Sequence, residues 1–559
     1  MRFKIRVGVV SILALGFVLP LFAQTSMLDK AFGTNGRAVT FIAGGDSTQD
    51  EGYAAAIQLD GKIVVAGWSS DSSARDAFAV ARFNTNGTVD NTFGTGGTVR
   101  TFIGGGDSSD DEGYAVALQQ DGKIVVAGYS KDTLGGVQHF AFALARYDTN
   151  GNLDNAFGRG GTVRTSISGG GLFDEGESIA IQPDGKLLVA GISRPTVYSG
   201  GDATAGGYEC GIARFDPDGT VDDTFGRNGS VQVTSIGGIP LLDNSLVLQP
   251  DGKIVVAGTS VDNVTGYLYF SAVRLNQNGS IDTTFGNGGV AAVSISGGNE
   301  TGDECYGIAV QSDGKIILVG TSYDSTNHGA FGIARLDSDG AIDNSFGVDG
   351  SERIFIAGAD SLTNIAYSAA VQQDGKIVVA GKSGFLGPAF SVVRLNPDGT
   401  VDNKFGINGS AYADSFSTDV DVDDEAHAVL VQSDGKIVAA GFSQTTFGPA
   451  EFAVARFLPS NVTGIMNNEI TPKSFVLCQN YPNPFNPTTN IRFQMAEPGF
   501  VTLEVYDVLG RKVTTLVHQK EAPGNYSVTF DGSRLASGVY FYRLVAGNYS
   551  ETKKLMVVK

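Results

Sequence analysis

The chain has 559 residues, 39 Lys+Arg against 59 Asp+Glu, and a formal charge of −20, with 77 Gly and a 42% share of hydrophobic residues. That Gly content is about twice the usual ~7%, yet there is ample apolar side chain to bury, so collagen and disorder are both excluded and a turn-rich, all-β protein remains. The acidic balance excludes a nucleic-acid partner, because phosphate binding needs a basic face.

The N-terminus comes first. Arg2, Lys4 and Arg6 precede an apolar run from Val7 to Phe22, then Ala23-Gln24-Thr25. A positive head, a short apolar run and small residues make a secretory signal peptide over 1–24. The run is shorter than the ~18–20 residues of a spanning helix, and no later segment is apolar enough, so no transmembrane segment is expected after its removal.

Residues 25–457 carry one unit seven times. Its Asp-Gly pair begins at Asp60, Asp121, Asp184, Asp251, Asp313, Asp374 and Asp434. A Phe-Gly marker starts at Phe32, Phe93, Phe157, Phe225, Phe285, Phe346 and Phe405. An Arg closes an apolar run at Arg82, Arg146, Arg214, Arg274, Arg335, Arg394 and Arg456. Self-similarity at such a period signals a repeat architecture.

In the second unit the expected strands are Thr98–Ile103, Tyr114–Gln119, Lys123–Gly128 and Phe140–Tyr147, with Asp121-Gly122 as a hairpin turn. Strands such as KIVVAG are apolar throughout and so buried on both faces. Four-stranded sheets of that kind, repeated seven times around a ring, make a seven-bladed β-propeller. The seventh unit lacks the stretch ending in Phe-Gly, which stands instead at Leu28–Gly33; the segment near 28–42 should therefore complete the last blade.

The unit VDNTFGTGGTVRTF … YAVALQQDGKIVVAG … FALARYDTNG resembles the delta-60 repeat of bacterial exported proteins. That resemblance implies no defined catalytic activity or ligand.

Residues 458–476 lack periodicity and read as a linker. From 477 to 559, Tyr481-Pro482-Asn483-Pro484-Phe485-Asn486-Pro487 is followed by alternating runs, which predict a small Ig-like antiparallel sandwich. This segment is similar to the type A sorting domain of the type IX secretion system through YPNPFNP at 481–487, YDVLGRKV at 506–513, SGVYFYRL at 537–544, which contains Gly538, and KKLMVVK at 553–559. The resemblance implies passage across the outer membrane of a bacterium by that machinery, then release or surface attachment. It also implies that Gly510, Arg511, Lys553 and Lys554 belong to the recognition surface.

The search for chemistry yields less. Acidic pairs precede the second strand of five units: Asp50-Glu51, Asp111-Glu112, Asp174-Glu175, Asp303-Glu304 and Asp424-Glu425. On a closed ring they should share one rim, either as an acidic annulus for Ca²⁺ or a cationic partner, or as solvated loop residues. Turns such as DTNGNLD at 148–154 resemble the start of a calcium loop but lack its closing bidentate Glu. The seven Arg, recurring in every unit, belong to architecture, with turn residues such as Asp90 and Asp154 as partners; Lys62 and its counterparts should be exposed.

Cys210, Cys305 and Cys478 show no paired spacing, and His139, His328, His427 and His518 are scattered. No catalytic motif occurs, so the expectation is a non-enzymatic binding, adhesion or surface-structural protein without a resident cofactor. Its partner would be an extracellular protein or glycan. The alternative is a secreted glycosidase or lyase using paired acids. The insertion Ser193–Glu209 of the third unit is the candidate for specificity.

Overall fold

A computed structural model describes residues 27–459 and 475–558, apart from positions 43–48, 105–109, 135–136, 169–172, 195, 200–201, 206–207, 234–241, 263–264, 296–301, 325–327, 357–363, 385–387, 414–415, 417–421, 446–447, 478, 481–482, 496–497, 522–523 and 548. The signal peptide, most of the linker, Cys478, Tyr481 and Pro482 lie outside the described residues. The chain divides into two compact units, Met1–Val462 and Thr463–Lys559.

The first unit is all β. Its second blade shows the plan: Asp110–Leu118, Ile124–Leu134, Val137–Tyr147 and Thr162–Thr165 lie side by side, each antiparallel to the next. Ile124–Ala127 are wholly buried because neighbouring blades cover both faces. Burial of each Ile or Val side chain among them contributes about 1.5–3 kcal/mol. Asp121-Gly122 makes the hairpin turn, with Gly122 at φ 85°, the left-handed region that side chains avoid.

Seven innermost strands close a ring. They are Gln49–Ile57, Asp110–Leu118, Phe173–Ile181, Leu242–Leu248, Asp303–Val310, Asn364–Val371 and Val422–Val431, each packed against the next and the last against the first. The repeat unit is offset by one strand from the blade. Thr98–Thr101 pairs with Asp76–Phe83 as the outermost strand of blade 1, not with the strand that follows it. The last blade therefore lacks an outer strand until Arg37–Thr40 pairs antiparallel with Ala450–Phe457. The N-terminal segment closes the ring, as the missing stretch predicts.

The three sequence markers meet at the joints between blades. Arg82 donates from Nε to Asp90 Oδ2 at 2.7 Å and from Nη1 to the Thr149 carbonyl of the next blade at 2.5 Å. Its guanidinium lies 4.5 Å from the centre of the Phe93 ring. Gly94 N–H, beside that Phe, donates to the Asn150 carbonyl across the same joint at 2.7 Å. At closure Arg456 takes Asp29 as its partner at 3.0 Å, reaches Thr85 O at 2.5 Å and stacks on Phe32. The architectural reading of the Arg series is thus borne out.

The Lys series is not exposed as expected. Lys62 Nζ lies 3.0 Å from Asp90 with its side chain only 28% exposed, because the Arg-bound carboxylate has an oxygen to share. The expected calcium-like turns hold themselves: Asp148 Oδ1 accepts the N–H groups of Asn150 and Asn152 at 2.8 and 2.9 Å.

The second unit packs a three-stranded sheet (Val476–Leu477, Thr488–Met495, Gly524–Asp531) and a four-stranded one (Gly499–Tyr506, Lys512–Glu521, Gly538–Ala546, Tyr549–Val557) around a shared apolar core.

Candidate functional site at the channel mouth

Each acidic pair sits inside the innermost strand, not in a loop ahead of it, and its two members part company. A strand alternates faces at every residue. Asp111, Asp174 and Asp303 turn into the protein and are wholly buried, as are Asp50 and Asp424. Asp111 Oδ2 accepts the Ile103 N–H at 2.7 Å, and Asp303 Oδ2 the Ile295 N–H at 2.8 Å. Asp174 accepts three hydroxyls, from Ser166, Ser168 and Ser193, at 2.7–2.9 Å. These Asp residues fasten the outer strand of one blade to the inner strand of the next. They are not part of an acidic rim, which corrects that expectation for half of its members.

The Glu members face the channel. Glu112 accepts Tyr114 and Tyr129 hydroxyls, both at 2.5 Å; Glu304 accepts Tyr306 at 2.6 Å; Glu51 accepts Tyr53 at 2.7 Å. Glu175 holds the equivalent place on blade 3, opposite Ile192. Among the described residues no three Asp, Glu, His or Cys side chains converge as a metal-ligand set.

Two residues beyond the Glu position, which is Ile365 on blade 6, the chain bulges, and the bulge residue returns to the same face. Those residues are Tyr53, Tyr114, Tyr306, Tyr367 and His427, which the sequence reading missed although D-E-x-Y recurs in it. They form a girdle along consecutive blades. Ring centres are 5.6 Å apart for Tyr306–Tyr367, 4.2 Å for Tyr367–His427, 4.7 Å for His427–Tyr53 and 5.1 Å for Tyr53–Tyr114. Blade 3 carries Glu177 at this position in place of a ring. A small residue on the second strand lets the inner strand come this close: a Cβ on Gly128 would stand 1.9 Å from the Glu112 carbonyl oxygen.

Electrostatics make the mouth uneven. Burial, opposed by the Tyr53 hydrogen bond and aided by the Glu112 and Glu425 charges, pushes Glu51 up to about 7. Burial also raises Glu112 against the pull of Tyr114 and Tyr129. Burial acts upward on Glu425 as well, yet His427, at 3.1 Å, and the Lys382 ammonium bring it down to about 2. Lys382 stands opposite Ile365, where blade 6 lacks a Glu, and pairs with Glu425 on blade 7.

In the second unit the motif residues gather near the last strand. Asn483 Oδ1 accepts the Met556 N–H at 2.7 Å, and Phe485, which is buried, exchanges backbone bonds with Met556 and Val558. The peptide bonds before Pro484 and Pro487 are cis, and Asn486 is exposed. Gly510, at φ 76°, and Arg511 lie in an exposed turn in which Arg511 binds Asp507 at 2.7 Å. Gly538 begins the strand that pairs with the last one, where Lys553 pairs with Glu551 at 3.2 Å and Lys554 is exposed.

Comparison with known proteins agrees with this division. The model described as Domain of unknown function (DUF5122) beta-propeller matches seven times, at 58–93, 119–157, 182–225, 249–285, 311–346, 372–405 and 432–460. The secretion system C-terminal sorting domain matches 479–558. No curated protein matches. Among solved structures, a protein of unknown function from Dyadobacter fermentans is 11% identical, with 75% of this chain and 97% of that one covered at a TM-score of 0.38. A gluconolactonase from Xanthomonas campestris is 13% identical, with 63% and 92% covered at 0.30. An α-L-arabinofuranosidase from Clostridium thermocellum is 12% identical, with 54% and 95% covered at 0.25. Likenesses this distant say nothing of what this chain binds or turns over. Among the described residues no helix is long and apolar enough to cross a membrane. The sorting domain marks the chain for secretion or surface attachment by the type IX machinery of a bacterium, with which it interacts. This chain thus carries seven DUF5122 β-propeller repeats followed by a C-terminal secretion-system sorting domain.

Proposed function

We propose that the propeller is a non-enzymatic binding module, carried out of the cell by its C-terminal domain, whose ligand enters at the channel mouth lined by Glu51, Glu112 and the aromatic girdle. One observation carries this reading. The Arg–Asp–Phe joint recurs blade after blade, as closure requires, whereas the channel positions change from blade to blade. The Glu position reads Glu51, Glu112, Glu175, Leu242, Glu304, Ile365 and Glu425 in chain order. Symmetry serves the ring; its loss serves a ligand, which has no sevenfold axis.

A second reading has an observation of its own. Glu51 at about 7 and Glu425 at about 2 are neighbouring carboxylates driven apart by their surroundings, the condition under which one serves as acid and the other as base or nucleophile. Calorimetry of the secreted full chain against glycans and Ca²⁺, followed by product analysis, separates the two. Binding without turnover that Tyr53→Ala weakens supports the binding module. Glycan cleavage that Glu51→Gln abolishes supports the enzyme.

A further inference from the structure

From Tyr114 the ring contacts leave the channel. Tyr129 stands at 6.0 Å, Phe140 follows at 5.3 Å, Phe173 at 4.7 Å and Tyr208 at 5.7 Å. These residues come from the second and third strands of blade 2, the start of the inner strand of blade 3, and the end of the blade 3 insertion. Tyr129 is buried, Phe140 and Phe173 are half-buried, and Tyr208 is 40% exposed. Core aromatics of the joints, such as Phe93 and Phe157, are wholly buried instead. The path thus becomes more exposed toward Tyr208, at the end of the blade 3 insertion.

Charges of both signs accompany the rings. The Lys131 ammonium lies 5.8 Å from the centre of Phe140 and pairs with Asp110, and the Arg194 guanidinium lies 5.1 Å from that of Tyr208. Glu112 sits where Tyr114 and Tyr129 meet, and Glu209 follows Tyr208. A ligand of strong net charge meets a like charge somewhere along the way. A chain of neutral, hydroxyl-rich units does not: its hydroxyls bond to acids and cations alike, while its apolar C–H faces lie on aromatic rings.

We infer that a neutral oligosaccharide runs from the channel mouth beside Glu112 over the half-buried Phe140 and Phe173 to Tyr208 of the blade 3 insertion, with the buried Tyr129 packed beneath it. The inference rests on the channel mouth being a ligand site and names the ligand and the direction in which it extends.

The test is calorimetric titration of the secreted full chain with neutral glucan, xylan, mannan and chitin oligomers, from monomer to octamer. Affinity is expected to rise with oligomer length in at least one series. Tyr208→Ala and Phe173→Leu should each weaken the long oligomers about tenfold and leave the short ones unchanged, as loss of one stacking contact requires. Tyr208 is exposed and Phe173→Leu keeps an apolar side chain, so unchanged urea midpoints will show that both variants fold. Binding that is independent of length, or indifferent to both variants, overturns the extended path. It leaves the channel site standing if Tyr53→Ala still weakens the ligand. Binding of only charged glycans, peptides or polyamines overturns the neutral-oligosaccharide inference, and so does the absence of any oligomer binding.

Discussion

Replacing Glu51 with Gln should stabilise the propeller, and only at high pH. Glu51 moves from an ordinary value of 4.5 to about 7 because burial and the nearby Glu112 and Glu425 carboxylates disfavour its charge. At ~1.4 kcal/mol per tenfold change in the proton equilibrium, that displacement is at most roughly 3 kcal/mol. Glu51 is only half-buried, so solvent screens the charges and lowers the expectation to about 1–2 kcal/mol. A carboxylic acid held above its unfolded value makes its contribution below about 4.5, and the contribution is lost as pH rises through about 7. The Gln side chain still accepts the Tyr53 hydroxyl and carries no charge at any pH. Urea unfolding at about pH 8 should therefore show the variant more stable by about 1–2 kcal/mol, and at about pH 5 nearly equal to the parent. Equal midpoints at both pH values, or a variant weaker at the higher one, would refute a carboxylate penalised by its surroundings.

The ring closure offers a second test. Arg456→Ala takes the guanidinium from Asp29, a buried carboxylate that keeps the Ala31 N–H at 3.1 Å and Lys436 at 3.5 Å, and should cost about 3 kcal/mol by urea unfolding. Deleting residues 25–40 removes the strand that pairs with Ala450–Phe457, and limited proteolysis should then cut the last blade first. Asp174→Ala leaves the buried Ser193, the half-buried Ser168 and the exposed Ser166 hydroxyls without their common acceptor; a loss of about 2 kcal/mol is expected, chiefly from Ser193, whereas Asp184→Ala at an exposed hairpin turn should be near neutral. Truncation after residue 476 should leave the propeller folded but retained inside the outer membrane, as cell fractionation would reveal.

The sequence determines by itself the number of blades, their closure by residues 28–42 and the presence of a sorting domain. Each rests on local chemistry written out repeatedly. Asp-Gly needs a tight turn, the Arg runs end at a joint with Asp, and the absent outer strand has its counterpart at the other end of the chain. Even the offset between repeat and blade follows from that exchange, once Thr98–Thr101 is seen to pair backward.

The division of labour inside Asp-Glu was decided only by the tertiary structure. Asp and Gly are poor strand formers, so the pair reads as loop. In the ring the innermost strand extends back over it, and a step of one residue then sends Asp111 into the joint and Glu112 into the channel. The bulge at Tyr114 likewise becomes visible only in the pairing with Ile124–Leu134. Tyr129, Phe140, Phe173 and Tyr208 are far apart along the chain, and no spacing rule joins them; the packing of blade 2 against blade 3 does. The channel mouth is thus a product of neighbouring blades, which no single repeat encodes.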